Sequence, residues 1–345
     1  MLATPSRALE ALTHANLGAA RGARALATLE IPAALADPSG ERVSRATLAM
    51  ALNVILFDQL LRRVPSGAAY VDDQRSLGRR ICFDHGALRT IRFAEGPTGA
   101  LPGGIAAFSR VLEPLGYRQA AIYPLPALKM TGYAFAHLDL PEQVPQFFVS
   151  ELHVEAFDAA FEAAAHRVFD TTADPLTPAA VEALAALASD GALSLAQAAA
   201  ALPSLVAAFD RQHPICDLAD YQTLLAQSAE AAWIATEGCA FNHATDRVED
   251  VAALAARLTA DGYPMKARLE VSASGRVRQT ALKADPVQRA FIYEDGRKVV
   301  REAPGSFFEF ISRDIDPATG RLDLAFDSGN ATGIFAMTRA SPATV

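Results

Sequence analysis

The sequence predicts an α+β fold in which two βαβββ modules add their strands to one curved sheet and enclose a cup, with a helical arm before them and a helical insert between them. Three observations predict it. Phe83-Asp84-His85 and Phe241-Asn242-His243 open two stretches with nearly the same word, and Phe147-Phe148 and Phe307-Phe308 close them after almost equal intervals. Within each stretch a helical pattern stops at Gly-Tyr, Gly116-Tyr117 in the first and Gly262-Tyr263 in the second. The block between them is rich in Ala and Leu at helical intervals and poor in β-branched residues, which favours helix. An internal repeat of this kind is an architectural signal, because each copy completes its core against the other.

Taken in order, residues 1–80 form the arm, where Ala and Leu recur at helical spacing in Ala8-Leu9-Glu10-Ala11-Leu12 and again from Thr47 to Arg62. Residues 81–156 form the first module: a strand from Ile81, a helix from Ile105 to Leu115, then three apolar alternating runs bounded by Pro or Gly, at Gln119 to Leu125, Gly132 to Leu138 and Gln146 to Val154. Residues 157–238 are the helical insert. Residues 239–345 hold the second module and a closing segment, with a strand to Ala244, a helix from Val248 to Leu258, and strands over Lys266 to Ser272, Val277 to Ala284 and Phe307 to Ser312.

Composition narrows the function. A chain of 345 residues with 51% hydrophobic content buries a large core and is no disordered segment. A net charge of −8 without a Lys/Arg cluster excludes a nucleic-acid surface, so small molecules are the expected partners. Cys82, Cys216 and Cys239 lack paired spacing and read as free thiols of a reducing compartment. No stretch has the length of a membrane span and the N-terminus lacks the pattern of a signal peptide, so the expected location is the cytoplasm without membrane association. Oligomeric state is left open.

The repeat also places chemistry. His85 and His243 fall at equivalent positions, and the residue after the second Phe is Val149 in one copy and Glu309 in the other. On a strand, alternation puts Phe308 and Phe310 on one face and Phe307, Glu309 and Ile311 on the other. A carboxylate among apolar side chains needs a cation or hydrogen bonds. Two histidines and one carboxylate form the facial set of non-haem iron(II) sites, which leaves positions open for substrate and dioxygen. Val149 in place of a second glutamate accounts for one site instead of two. Glu151 with His153 is the nearest rival constellation. Arg89 lies four residues after His85, on the same strand face, where its fork suits a carboxylate. Gln279 and Asn330 are weaker candidates for polar substrate contacts.

These pieces carry a resemblance. Ser306-Phe307-Phe308-Glu309-Phe310-Ile311-Ser312-Arg313, followed by Phe326-Asp327-Ser328-Gly329-Asn330-Ala331-Thr332-Gly333, resembles the C-terminal signature of 4-hydroxyphenylpyruvate dioxygenase, of the vicinal oxygen chelate superfamily. Asp84-His85-Gly86-Ala87-Leu88-Arg89-Thr90, Phe148-Val149-Ser150-Glu151-Leu152 and Phe241-Asn242-His243-Ala244-Thr245 are more similar to the 2-oxoadipate dioxygenase/decarboxylase family, the D-2-hydroxyglutarate synthases of bacterial lysine breakdown. The resemblance implies a glyoxalase-type cup, Fe(II) held by His85, His243 and Glu309, and a 2-oxo acid and O2 as substrates. Zinc, nickel or manganese isomerases and hydrolases of this fold, and its non-catalytic ligand binders, are the alternatives.

Overall fold

The computed structural model describes residues 6–35 and 42–326. Its centre is an eight-stranded mixed sheet: β1 (Phe83–Arg92), β2 (Tyr117–Leu125), β3 (Met130–His137), β4 (Gln146–His153), β5 (His243–Arg247), β6 (Glu270–Val271), β7 (Val277–Ala281) and β8 (Phe307–Arg313). The order across the sheet is β2-β3-β4-β1-β5-β8-β7-β6. The two halves of that order mirror each other. Each module's first strand runs parallel to its own last strand, β1 beside β4 and β5 beside β8, while β1 and β5 run antiparallel at the centre. A pseudo-twofold axis passes between them, as the pairs His85↔Thr245 and Ala87↔His243 show.

The helices Ala106–Leu112 and Val251–Ala260 occupy matching places after β1 and β5. The paired βαβββ reading is therefore met, with shorter outer strands in the second module. The run expected from Lys266 to Ser272 pairs as a strand at Glu270–Val271 alone, with an isolated Met265↔Leu282 bridge before it. Between β7 and β8 a hairpin, Pro286–Ile292 with Lys298–Pro304, stands apart as a separate two-stranded sheet, a feature the sequence reading did not anticipate.

One face of the sheet packs on the arm. Helix Arg45–Arg63, capped by the Ser44 hydroxyl accepting from the Thr47 N–H, is apolar almost all round and buried along most of its length, as a helix sandwiched between layers must be. Its Phe57 ring meets Phe83 at 4.9 Å and Phe308 at 6.0 Å. The next helix, Pro65–Ser76, sets Tyr70 against Phe310 at 4.8 Å. Phe308 and Phe310 thus face the core and Glu309 faces the cup. Arm and insert also meet directly: Arg42–Ser44 pairs with Ala192–Ser194, and the helices Arg7–Leu17 and Leu195–Ala207 lie in one hydrophobic cluster. The last insert helix, Ala229–Glu237, is buried from Glu230 to its end and brings Trp233 to the cup beside β1.

Candidate metal centre

Three strands converge on one point in the cup. β1 carries His85, β5 carries His243 and β8 carries Glu309, all buried, and one ligand atom from each lies within 4.8 Å of the other two. Among the described residues this is the group of His, Cys, Asp and Glu side chains that could hold a metal. The Glu309 Oε2 atom is 3.2 Å from His85 Nε2 and 3.5 Å from His243 Nε2. The Thr245 hydroxyl, two residues after His243 and so on the same face, donates to Glu309 Oε2 at 2.8 Å. Glu309 Oε1 is buried without a hydrogen-bond partner, which is costly for a carboxylate oxygen unless a cation meets it.

Each histidine is oriented from behind. His85 Nδ1 lies 2.8 Å from Asp84 Oδ1, so the ring donates Nδ1–H to that carboxylate and turns Nε2 toward Glu309. His243 Nδ1 lies 3.1 Å from the Asn242 side-chain amide, whose oxygen is placed without a partner. With its amide oxygen toward the ring, Asn242 accepts the His243 Nδ1–H, and Nε2 is again directed at Glu309. The two rings stand nearly perpendicular, centroids 5.5 Å apart.

The charges follow from burial and neighbours. Burial opposes a charged His85, but its hydrogen bonds to Asp84 and Glu309 outweigh that and raise its pKa. His243 lacks a charged Nδ1 partner, and burial pushes it down to about 3. Burial would raise Glu309, yet the His243 and His85 rings and Thr245 hold it below the usual carboxylate range. Asp84 is likewise buried, and the Arg313 guanidinium and His85 keep it well below that range.

The other sequence candidates divide. Arg89 is fully buried, with its guanidinium 5.0 Å above the Trp233 ring; burial pushes it down to about 10 against the pull of Glu230, so it stays cationic at neutral pH. Gln279, also buried, donates to Glu270 at 3.2 Å, and Glu270 is ion-paired with Lys266. Asn330 lies outside the described residues. His153 accepts or donates to Thr131 at 2.9 Å and stays 3.8 Å from Glu151, whose Oε2 accepts from the Ile105 N–H at the start of a helix, so that pair serves local structure. The strand pairing corrects one equivalence. Ala87 sits opposite Phe148 where Thr245 sits opposite Glu309, so Phe148 and not Val149 holds the place of the glutamate in the first module. Val149 faces the core; Phe148 faces the cup, against Tyr123 and Phe326.

Residues that the sequence reading gave no role also line the site. Phe326 packs edge-on to His85 at 4.8 Å, and its N–H donates to the Tyr123 hydroxyl. Asp84, Asn242 and Thr245 each had a signal available, as neighbours of a histidine in sequence or at strand period. Arg313 had none.

Fold and site together define a protein of paired βαβββ modules with a buried His-His-Glu set that could hold a metal. The chain belongs to the 2-oxoadipate dioxygenase/decarboxylase family, whose model matches residues 40–322. It is similar to a glyoxalase superfamily protein from Ralstonia eutropha JMP134, with 50% identity over 94% of this chain and 99% of that one and a TM-score of 0.89. Its fold is also that of the hydroxyglutarate synthase from Oryza sativa solved with 2-oxoadipate, at 22% identity, 86% and 93% coverage and a TM-score of 0.65. The Pseudomonas putida hydroxyglutarate synthase solved with the same compound gives 21% identity, 86% and 74% coverage and a TM-score of 0.60. A comparison with curated proteins gives no match. Among the described residues, no helix is long and apolar enough to cross a membrane.

Proposed function

We propose that this protein is an Fe(II)-dependent dioxygenase and decarboxylase of a 2-oxo acid, converting 2-oxoadipate and O2 to 2-hydroxyglutarate and CO2. The observation that carries the reading is the convergence of His85, His243 and Glu309 in a buried cup, in a chain of this family. The donor set fits the ion: two imidazole nitrogens turned inward by their Nδ1 partners, one carboxylate, and an orphaned Glu309 oxygen. When bound, iron(II) supplies the redox chemistry by which O2 is activated beside a chelating 2-oxo acid.

The chain's own residues set what is bound and how. Arg89 holds the distal carboxylate of a dicarboxylic substrate: it lies in a site walled by Trp233, where a charged hydrogen bond is strong because water is excluded. Gln279 orients the substrate's polar end from β7, and Thr245 keeps Glu309 in place. Phe326, Phe148 and Tyr123 shield the His85 side of the cup from water.

The test is oxygen uptake by protein loaded anaerobically with Fe(II), on addition of 2-oxoadipate and a panel of mono- and dicarboxylic 2-oxo acids. Uptake matched by equal CO2 release is expected, with 2-oxoadipate foremost. No uptake with any acid, iron being bound, would overturn the dioxygenase reading in favour of isomerisation, hydrolysis or ligand binding at the same cup.

A further inference from the structure

The words that open the two modules differ in one letter, Asp84 against Asn242, and the structure gives that letter a partner. The Arg313 guanidinium, its side chain fully buried, grips the Asp84 carboxylate through Nε at 3.0 Å and Nη2 at 2.9 Å. The same carboxylate accepts from His85. Arg313 Nη1 meanwhile donates to the carbonyls of Asp323 and Ala325, at 2.9 and 2.8 Å, and the guanidinium lies 5.2 Å from the Phe326 ring that covers His85. Strand register shows that this device exists once. Four residues beyond Glu309 stands Arg313, and four beyond its counterpart Phe148 stands Leu152. Charge and countercharge therefore occur together, behind one histidine, while the other has a neutral amide.

We propose that Asp84 and Arg313 are positioning residues for the metal site: Asp84 holds the His85 Nδ1–H so that Nε2 is presented as a ligand, and Arg313 holds Asp84. The inference rests on reading the triad as a metal site. An imidazole ligates through a nitrogen that carries no proton, so a fixed acceptor on the opposite nitrogen selects the competent tautomer and makes the ring a better donor. A buried carboxylate can do this only if its own charge is compensated, which the Arg313 fork does.

The experiment is a Co(II) titration, followed by visible absorption, of the wild-type protein, Asp84→Asn, and the double variant Asp84→Leu/Arg313→Met. The double variant removes Asp84 and the buried Arg313 together, an exchange that buried ion pairs often tolerate without loss of stability, while the partly exposed Arg247, 3.7 Å from Asp84, stays in place. Expected is Co(II) affinity about 10–100-fold below wild type in the double variant. Asp84→Asn, which keeps an acceptor oxygen and loses the charge, should fall between the two, and it carries the test if the double variant does not fold. A purely structural role would move melting temperature and leave the affinity of folded protein unchanged. Either folded variant binding Co(II) as tightly as wild type overturns the proposal while the metal site stands; a wild-type protein that takes up no Co(II) overturns both.

Discussion

His85 and His243 occupy equivalent strand positions and are tuned in opposite directions, one raised by its carboxylate neighbours and the other pushed down to about 3 by burial. Metal binding requires both rings neutral at Nε2. At about pH 6, below the ordinary histidine value, His85 carries a proton that must leave and His243 does not. Binding of a divalent ion should therefore release about one proton per ion at that pH, and affinity should weaken as pH falls. Calorimetric titration in buffers of different ionisation enthalpy measures the release; zero or two protons would contradict the assignment. Arg89 allows a second test at this scale. Truncating a buried charge that holds a partner costs roughly 2–5 kcal/mol, so Arg89→Ala should lower kcat/KM for dicarboxylic 2-oxo acids by about 30-fold or more. Monocarboxylic acids should lose far less, and equal losses would remove Arg89 from the distal end. The triad was legible because each member sits on a strand whose period fixes its face. The Asp84–Arg313 pair was not, since nothing local links a strand's last residue to a residue in the other module.

At the scale of elements, the centre of the sheet depends on close approach. A Cβ built on Gly86 of β1 would lie 2.3 Å from the Phe241 ring, and that ring is held by Phe83, Phe147 and Phe209. Gly86→Ala should thus overpack the junction of the modules and cost about 1–3 kcal/mol, read by chemical denaturation; an unchanged midpoint would show that Phe241 can move aside. The order of elements was readable from their punctuation, Gly-Tyr after each helix and Pro or Gly between strands. The exact face of the Phe-Phe pairs was not. Two adjacent phenylalanines satisfy either parity, and just the pairing of β4 with β1 decides that Phe148 faces the cup and Val149 the core. The hairpin between β7 and β8 does leave a mark in the sequence, Asp295-Gly296 between alternating runs, a strong hairpin signal with no counterpart in the first module.

For the whole molecule, arm and sheet are joined by a buried polar contact whose cost depends on pH. Tyr70 of the arm donates to Asp246 of β5 at 2.7 Å, and the Cys82 N–H donates to the other carboxylate oxygen. Burial pushes Asp246 up to about 7 despite those bonds. An acid whose folded pKa lies above its unfolded value binds more protons when folded across the interval between them, so stability falls as pH rises from about 4 to about 7 and stays low above it. Asp84 works in the opposite sense: held below its unfolded value by Arg313, it contributes stability above about pH 4 that is lost on further acidification. The two carboxylates, one opposite an arginine and one opposite a phenol, tilt the stability curve in different windows. Asp246→Asn isolates the second. The amide oxygen still accepts from Tyr70, one bond to Cys82 is lost, and no charge can form. Metal-free wild-type protein should lose about 2–4 kcal/mol between about pH 5 and pH 8 that the variant does not lose, measured by urea denaturation at each pH. Parallel curves for the two proteins would mean that Asp246 is ionised throughout, and that the contact between arm and sheet is charged at all these pH values.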